Sequence, residues 1–187
     1  MITVQDTAFE GLKIIVPEVF SDARGCFFES YNGREFNDKV GNVRFVQDNQ
    51  SVSVPGVIRG MHFQKGGYAQ SKLVRAVSGS VLDVCVDMRR GSRTFGRWGS
   101  FVLSAENARQ LFIPKGFAHG FAVIGSEKAV FQYKCDTHYV PGSEGSFNAL
   151  DPALGIDWGI ADPILSDKDS KAPLFKNLSE DCFYIPE

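Results

Sequence analysis

Three histidines, His62, His119 and His138, are the side chains of this sequence best suited to moving a proton near neutral pH. The first lies six residues after Gly56, in Gly56-Val57-Ile58-Arg59-Gly60-Met61-His62-Phe63-Gln64. The second closes Pro114-Lys115-Gly116-Phe117-Ala118-His119. Other polar groups cluster in sequence around the first: Gln47-Asp48-Asn49 upstream, Arg59 just before it, and Lys72 at the start of the next apolar stretch. Lys72 and Tyr133 each fall on a mostly apolar segment, where a polar group needs a reason to be. Gathered in one cavity, such groups would take a proton, neutralise a growing negative charge and hold an anion.

The Gly-x5-His segment, followed further along by PxGxxH, resembles the two motifs of the cupin barrel. Metal-binding cupins carry HxH and a carboxylate in the first motif. Here Gln64 stands at the second histidine position, and no nearby Glu completes the set. A transition metal usually takes about three or four His, Cys or carboxylate ligands. With His138 outside both motifs, no metal is expected, and His62 is expected to act as a general base.

A cavity of this kind needs strands that turn alternate side chains inward. Period-two alternation is clearest in Leu82, Val84, Val86 and Met88, which share one face, and Val81, Asp83, Cys85 and Asp87, which share the other. That strand and the one before it flank a Ser78-Gly79-Ser80 turn. Further strands are expected at 14–16, 25–31, 43–52, 56–63, 98–103, 109–113, 120–124 and 129–135. The 19 glycines and 16 phenylalanines supply the turns and bulky β-formers of an all-β domain. Helices are expected only at 33–39, as two turns, and at 104–107, as one. From Val140 onward Pro, Gly and Asp are frequent, which suits ordered loop with short helical turns packed over a barrel. The expectation is one all-β domain over residues 1–187, a jelly-roll barrel with short peripheral helices.

A formal net charge of −2 provides no basic field for nucleic acid or an anionic membrane. No apolar run approaches the ~20 residues of a membrane span, and the N-terminus lacks the layout of a signal peptide. The four cysteines include no CxxC pair, so free thiols in a reducing cytoplasm are expected.

Seven segments then resemble, in order, the dTDP-4-dehydrorhamnose 3,5-epimerase family. They are Arg24-Gly25-x-Phe27-Phe28-Glu29; Gln47-Asp48-Asn49; Val57 to Gln64; Lys72-Leu73-Val74-Arg75; Ile113 to Phe121; Asp151 to Trp158; and Leu165-Ser166-x-Lys168-Asp169. The resemblance implies a jelly-roll homodimer with an exchanged N-terminal strand. It also implies action, without a cofactor, on a deoxythymidine diphosphate 4-keto-6-deoxy sugar. Epimerisation beside a ketone needs a base, a partner for the ketone oxygen and an acid across the ring. By resemblance, His62 is the base, Asp169 its carboxylate partner, Lys72 the cation at the keto oxygen and Tyr133 the proton donor, with Tyr139 a rival for that last role. Arg59 is implied to meet the phosphates, with Arg24 and Glu29 reaching in from the partner subunit. Gln47 and Asn49 would bind the nucleotide or sugar, His119 would line the sugar pocket, and Glu144 and Lys168 would close it.

Three departures from the family pattern bear on substrate choice. The loop Lys65-Gly66-Gly67-Tyr68-Ala69-Gln70-Ser71 has two glycines and lacks the usual Pro. His138 replaces a tyrosine, and Gly145 to Leu150 departs from a basic stretch with tryptophan. Relatives that epimerise one carbon, isomerise a 4-keto sugar or use another sugar nucleotide therefore stay in view, as does a sugar-binding cupin without turnover.

Overall fold

The computed structural model describes residues 1–186, and its frame is two antiparallel sheets packed face to face. The six-stranded sheet runs β1 (Ile2–Asp6), β2 (Lys13–Pro17), β10 (Gln110–Ile113), β7 (Lys72–Ser78), β12 (Ala129–Cys135), β5 (Gln47–Ser53). The five-stranded sheet runs β13 (Glu144–Ser146), β6 (Ile58–Gln64), β11 (Phe117–Ile124), β8 (Ser80–Asp87), β9 (Trp98–Ser104). A separate hairpin pairs β3 (Phe20–Asp22) with β4 (Gly25–Phe27). Two short helices, α1 (Gly33–Lys39) and α2 (Asp167–Ser170), lie outside the barrel. The expected jelly roll of the cupin type is the fold observed.

Burial follows strand parity. The central core joins Val74, Leu111 and Phe131 of one sheet to Val81, Cys85 and Phe121 of the other, with Phe121 and Phe131 stacked 4.2 Å apart. The opposite face of β8, Val84 and Val86, together with Met88 just past its end, packs under the C-terminal segment through Phe147, Ala149 and Trp158. A third cluster seats Phe36 of α1 on Ile15, Leu73 and Phe112, over the outer face of the six-stranded sheet. Thus β8 is apolar on both faces because both are covered. The exceptions on its inward face are Asp83 and Asp87.

Several expectations need correction. The strand foreseen at 25–31 ends at Phe27, and that foreseen at 43–52 starts only at Gln47. The one-turn helix at 104–107 is a turn. Ser104 and Asn107 exchange side-chain-to-backbone hydrogen bonds, and Ala108 follows at φ 50, which stops a helix from continuing. Strands β3 and β13 escaped notice because they are short or exposed, so alternation leaves little trace. Within the single chain, β1 pairs antiparallel with β2, Ile2 opposite Pro17 and Asp6 opposite Lys13. Among the described residues, no helix is long and apolar enough to cross a membrane.

Candidate active site

The cavity opens at one end of the barrel and has a volume of about 350 Å³, within the usual range for small-molecule sites. Parity selects most of its lining, with Gln50 and Phe63 also reaching it against strict alternation. From β5, Gln47, Asn49 and Ser51 point inward; from β7, Lys72; from β12, Tyr133; from β6, His62 and Gln64; from β11, His119 and Phe121. Arg59 is a further anomaly, since it lies three residues from His62 and should face the other way. The pairing of β6 with β11 slips between His119↔His62 and Phe121↔Arg59, leaving one extra residue in β6. That bulge turns both Arg59 and His62 into the cavity. Glycine permits it: a Cβ on Gly60 would stand 2.6 Å from the Gly120 Cα, at a φ of +135°.

His62 Nε2 lies 2.7 Å from Asp169 Oδ1. Asp169 comes from α2, whose N-cap Ser166 accepts the Asp169 N–H at 3.1 Å, and the Gly60 N–H points at Asp169 Oδ2 from 3.5 Å. Burial pushes this carboxyl up, but the hydrogen bond and charge of His62, with the smaller help of Gly60 and Ser166, hold it below the ordinary carboxylate value. The imidazole is one-third exposed and the carboxylate nearly sealed, at 33% and 5%. Such a pair fixes the ring and stabilises its protonated form. With Nε2 engaged, Nδ1 is the nitrogen free to take a proton.

Lys72 makes no hydrogen bond or ion pair among the described residues; its Nζ sits 5.7 Å from the Tyr133 ring centroid. Burial lowers its pKa from the ordinary lysine value, opposed by the negative potential of Cys135, Asp83, Cys85 and Glu144. Burial likewise raises the Tyr133 phenol. Ser51 Oγ is buried in the cavity wall without a partner. Unfinished polar groups in a cavity wait for a ligand's polar atoms. Arg59, held at Nε by Ser53 Oγ at 2.9 Å, keeps its guanidinium end for an anion.

At the rim, Tyr139 Oη donates to Glu144 Oε2 at 3.0 Å, and Lys168 Nζ pairs with the same oxygen at 2.6 Å. The hydrogen bond to Glu144 raises the Tyr139 phenol, followed by burial. Gln47 spends its Oε1 on the Tyr139 N–H at 2.9 Å, and its Nε2 on Asn49 at 3.1 Å, so part of its capacity is used inside the chain. Two implied residues are not brought in. Arg24 sits on the β3–β4 hairpin, paired with Asp22 and fully exposed, and Glu29 lies outside the cavity beside Asn32. His138 is exposed and contributes its carbonyl to Gln64. Among the described residues, no three His, Cys, Asp or Glu side chains gather as a metal site.

Two functional features were missed. Asp83 stands 2.7 Å from His119 Nε2, and both are buried, making a second His–Asp pair. The signal was present, since Asp83 shares the inward face of an apolar strand. Gln64, noted only for filling a ligand position, is a hub of rim hydrogen bonds.

Fold and cavity together define a cupin-type barrel with a small-molecule cavity on which a His–Asp pair, a lysine unpaired among the described residues and a half-buried phenol converge. The sequence matches the dTDP-4-dehydrorhamnose 3,5-epimerase family over residues 6–177, and the chain belongs to that family. It is 53% identical over 176 residues to the dTDP-4-dehydrorhamnose 3,5-epimerase of Salmonella typhimurium, covering 93% of this chain and 96% of that one. It is also 53% identical over 178 residues to the enzyme of the same name from Pseudomonas aeruginosa, covering 94% and 96%. Among solved structures, the dTDP-6-deoxy-D-glucose-3,5-epimerase of Legionella pneumophila, in complex with dTDP-4-keto-L-rhamnose, superposes with a TM-score of 0.95. It is 44% identical, and the match covers 100% of both chains.

Proposed function

We propose that this protein is an isomerase that inverts C3 and C5 of dTDP-4-dehydro-6-deoxy-D-glucose, giving dTDP-4-dehydro-L-rhamnose, with no cofactor. The observation that carries this is the convergence of the His62–Asp169 pair, unpaired Lys72 and half-buried Tyr133 on one cavity. His62 Nδ1 takes the proton from the carbon beside the ketone, and the electron pair moves onto the ketone oxygen as an enolate. Asp169 stabilises the imidazolium as it forms. Lys72 faces the growing oxyanion, an arrangement worth about 3 kcal/mol of barrier. Tyr133 gives its proton to the carbon from the opposite face, and solvent restores both groups before the second carbon reacts. Tyr139 is the weaker donor, because its hydroxyl is committed to Glu144 at the rim.

Arg59 meets the diphosphate, while Gln47 and Asn49 receive the nucleotide or sugar. Arg24 and Glu29 belong to the pocket of a second copy in a homodimer. The exposed β3–β4 hairpin, with Phe20 and Phe27 at 56% and 71% exposure, supports this because such side chains call for cover. The four free cysteines suit a single-domain enzyme of the cytoplasm. The test is incubation with the keto sugar nucleotide in deuterated water. Label at both C3 and C5 is expected; label at one carbon would make this a single-carbon epimerase, and none would sink the assignment.

A further inference from the structure

Gln64 stands two residues beyond His62 on β6, so both side chains point into the barrel. Its side chain is buried, and every polar function on it is used. Nε2 donates to the carbonyls of Tyr68 at 3.2 Å and His138 at 3.3 Å, and Oε1 accepts the Val140 N–H at 2.8 Å. From the opposite sheet, Gln47 accepts the Tyr139 N–H at 2.9 Å. Three consecutive residues, 138–140, are thus gripped by their backbones from both sheets at once. That segment is neither helix nor strand, so these bonds are its main restraint. Beyond it, Tyr139 reaches Glu144, Glu144 reaches Lys168, and Lys168 adjoins Asp169, the partner of His62.

We propose that Gln64 and Gln47 are positioning residues: a two-glutamine clamp across the barrel mouth that fixes segment 138–140 as the wall against which the sugar ring is held. The clamp thereby sets the balance between the two carbons offered to His62; this rests on the epimerase function proposed above. Only an amide serves at position 64, since the site needs donors for two carbonyls and an acceptor for one N–H. A carboxylate keeps the acceptor alone, and a thioether of similar length supplies no N–H. Inverting two carbons of one ring requires two productive placements against the same base. A shift of about 1 Å can cost about a hundredfold in rate, so a loosened wall penalises the two placements unequally.

The test measures initial deuterium entry at C3 and at C5 separately, with kcat, KM and melting temperature, in Gln64→Met, Gln64→Glu and Gln47→Met. In Gln64→Met the ratio of the two exchange rates is expected to move by about tenfold. Gln47→Met should move it in the same direction, and Gln64→Glu, which sets a buried carboxylate against the Tyr68 and His138 carbonyls, should move it at least as far as Gln64→Met. A ratio equal to that of wild type in folded Gln64→Met overturns the clamp, whether the two rates fall together or stay unchanged. Should Gln64→Met not fold, Gln64→Glu carries the decision, because Gln47→Met also removes a group placed at the nucleotide or sugar. Wild-type protein that labels neither carbon removes the epimerase function itself, whereas labelling with an unmoved ratio removes the clamp alone.

Discussion

The barrel holds two His–Asp pairs with the same 2.7 Å separation and nearly opposite surroundings. His119 and Asp83 come from adjacent strands of one sheet, exposed 8% and 0%, and the imidazole stacks 6.1 Å from Phe131. His62 and Asp169 are 107 residues apart, and the carboxylate is delivered by a four-residue helix tied to the rim through Lys168 and Glu144. The two histidines face each other across β6 and β11. One pair is locked by sheet register, its carboxylate fully buried and its imidazole set in the cavity wall. The other is assembled from separate segments, with its imidazole open to the cavity. Identical hydrogen bonds therefore sit in different settings: the buried pair is held mainly by the sheet, and the open pair leaves its imidazole more accessible to the cavity.

The largest expected effect lies on the open pair. Replacing His62 with Asn should lower turnover by roughly a hundred- to ten-thousandfold, the usual worth of a general base. Some stability should be lost as well, because the nearly buried Asp169 gives up its imidazole partner and keeps only the help of Gly60 and Ser166. Steady-state rates and a thermal melt check both; turnover within tenfold of wild type would erase the distinction between the pairs. The acid side sharpens it further. Asp169 has a lowered pKa in the fold, so its stabilising contribution is complete above the ordinary carboxylate value and is lost as pH falls through the lower folded one. Asp169→Asn should remove that acid-linked loss, as urea melts across acidic pH would show.

Lys72 lies within the electrostatic reach of Asp83, and it comes next in size. Lys72→Met should slow turnover by about a hundredfold, equivalent to the roughly 3 kcal/mol of an oxyanion donor. The same substitution should stabilise the fold at neutral pH. Burial lowers the lysine's folded pKa, so the chain is less stable below that value than above the unfolded one. Removing the amine removes the penalty. A variant both slower and less stable would contradict the view that this charge is held for the ligand.

On the buried pair the order reverses. His119→Asn should cost about 1–3 kcal/mol of stability, since Asp83 is fully buried and loses its imidazole partner. His62→Asn should cost less, and denaturant melts of the two variants decide between them.

The same contrast explains what was legible in the sequence. Parity on β8 put Asp83 on the same face as Cys85, because alternation within one strand is local information, but it did not say which face turns inward. Strand periodicity likewise placed Lys72 and Tyr133 on apolar strands. The path that brings Asp169 to His62 has no periodic signature, and resemblance alone supplied it. Arg59 shows the limit most plainly. Strict alternation sends it away from His62, and only the bulge at Gly60, which depends on the absence of a side chain at Gly120, reverses it. The His119–Asp83 pair went unrecognised because each residue was seen on its own strand, whereas the register that joins them is a property of the sheet.

The smallest effect is expected at the rim. Tyr139 is 47% exposed, its hydroxyl bonds to Glu144, and Lys168 holds that carboxylate independently at 2.6 Å. Tyr139→Phe deletes one exposed hydrogen bond, of net worth about 1 kcal/mol, and leaves the backbone bonds to Gln47 and Gln64 in place. Turnover should therefore stay within about fivefold of wild type, the rate equivalent of that bond. Tyr133→Phe, by contrast, removes a phenol that has no competing partner inside the cavity, and it should suppress product while exchange initiated by His62 persists. Product formation and solvent-exchange rates in the two variants separate the roles. If Tyr139→Phe were the one to lose product, the donor would sit at the rim, and the open pair would work against an acid from the mouth rather than from the wall of β12.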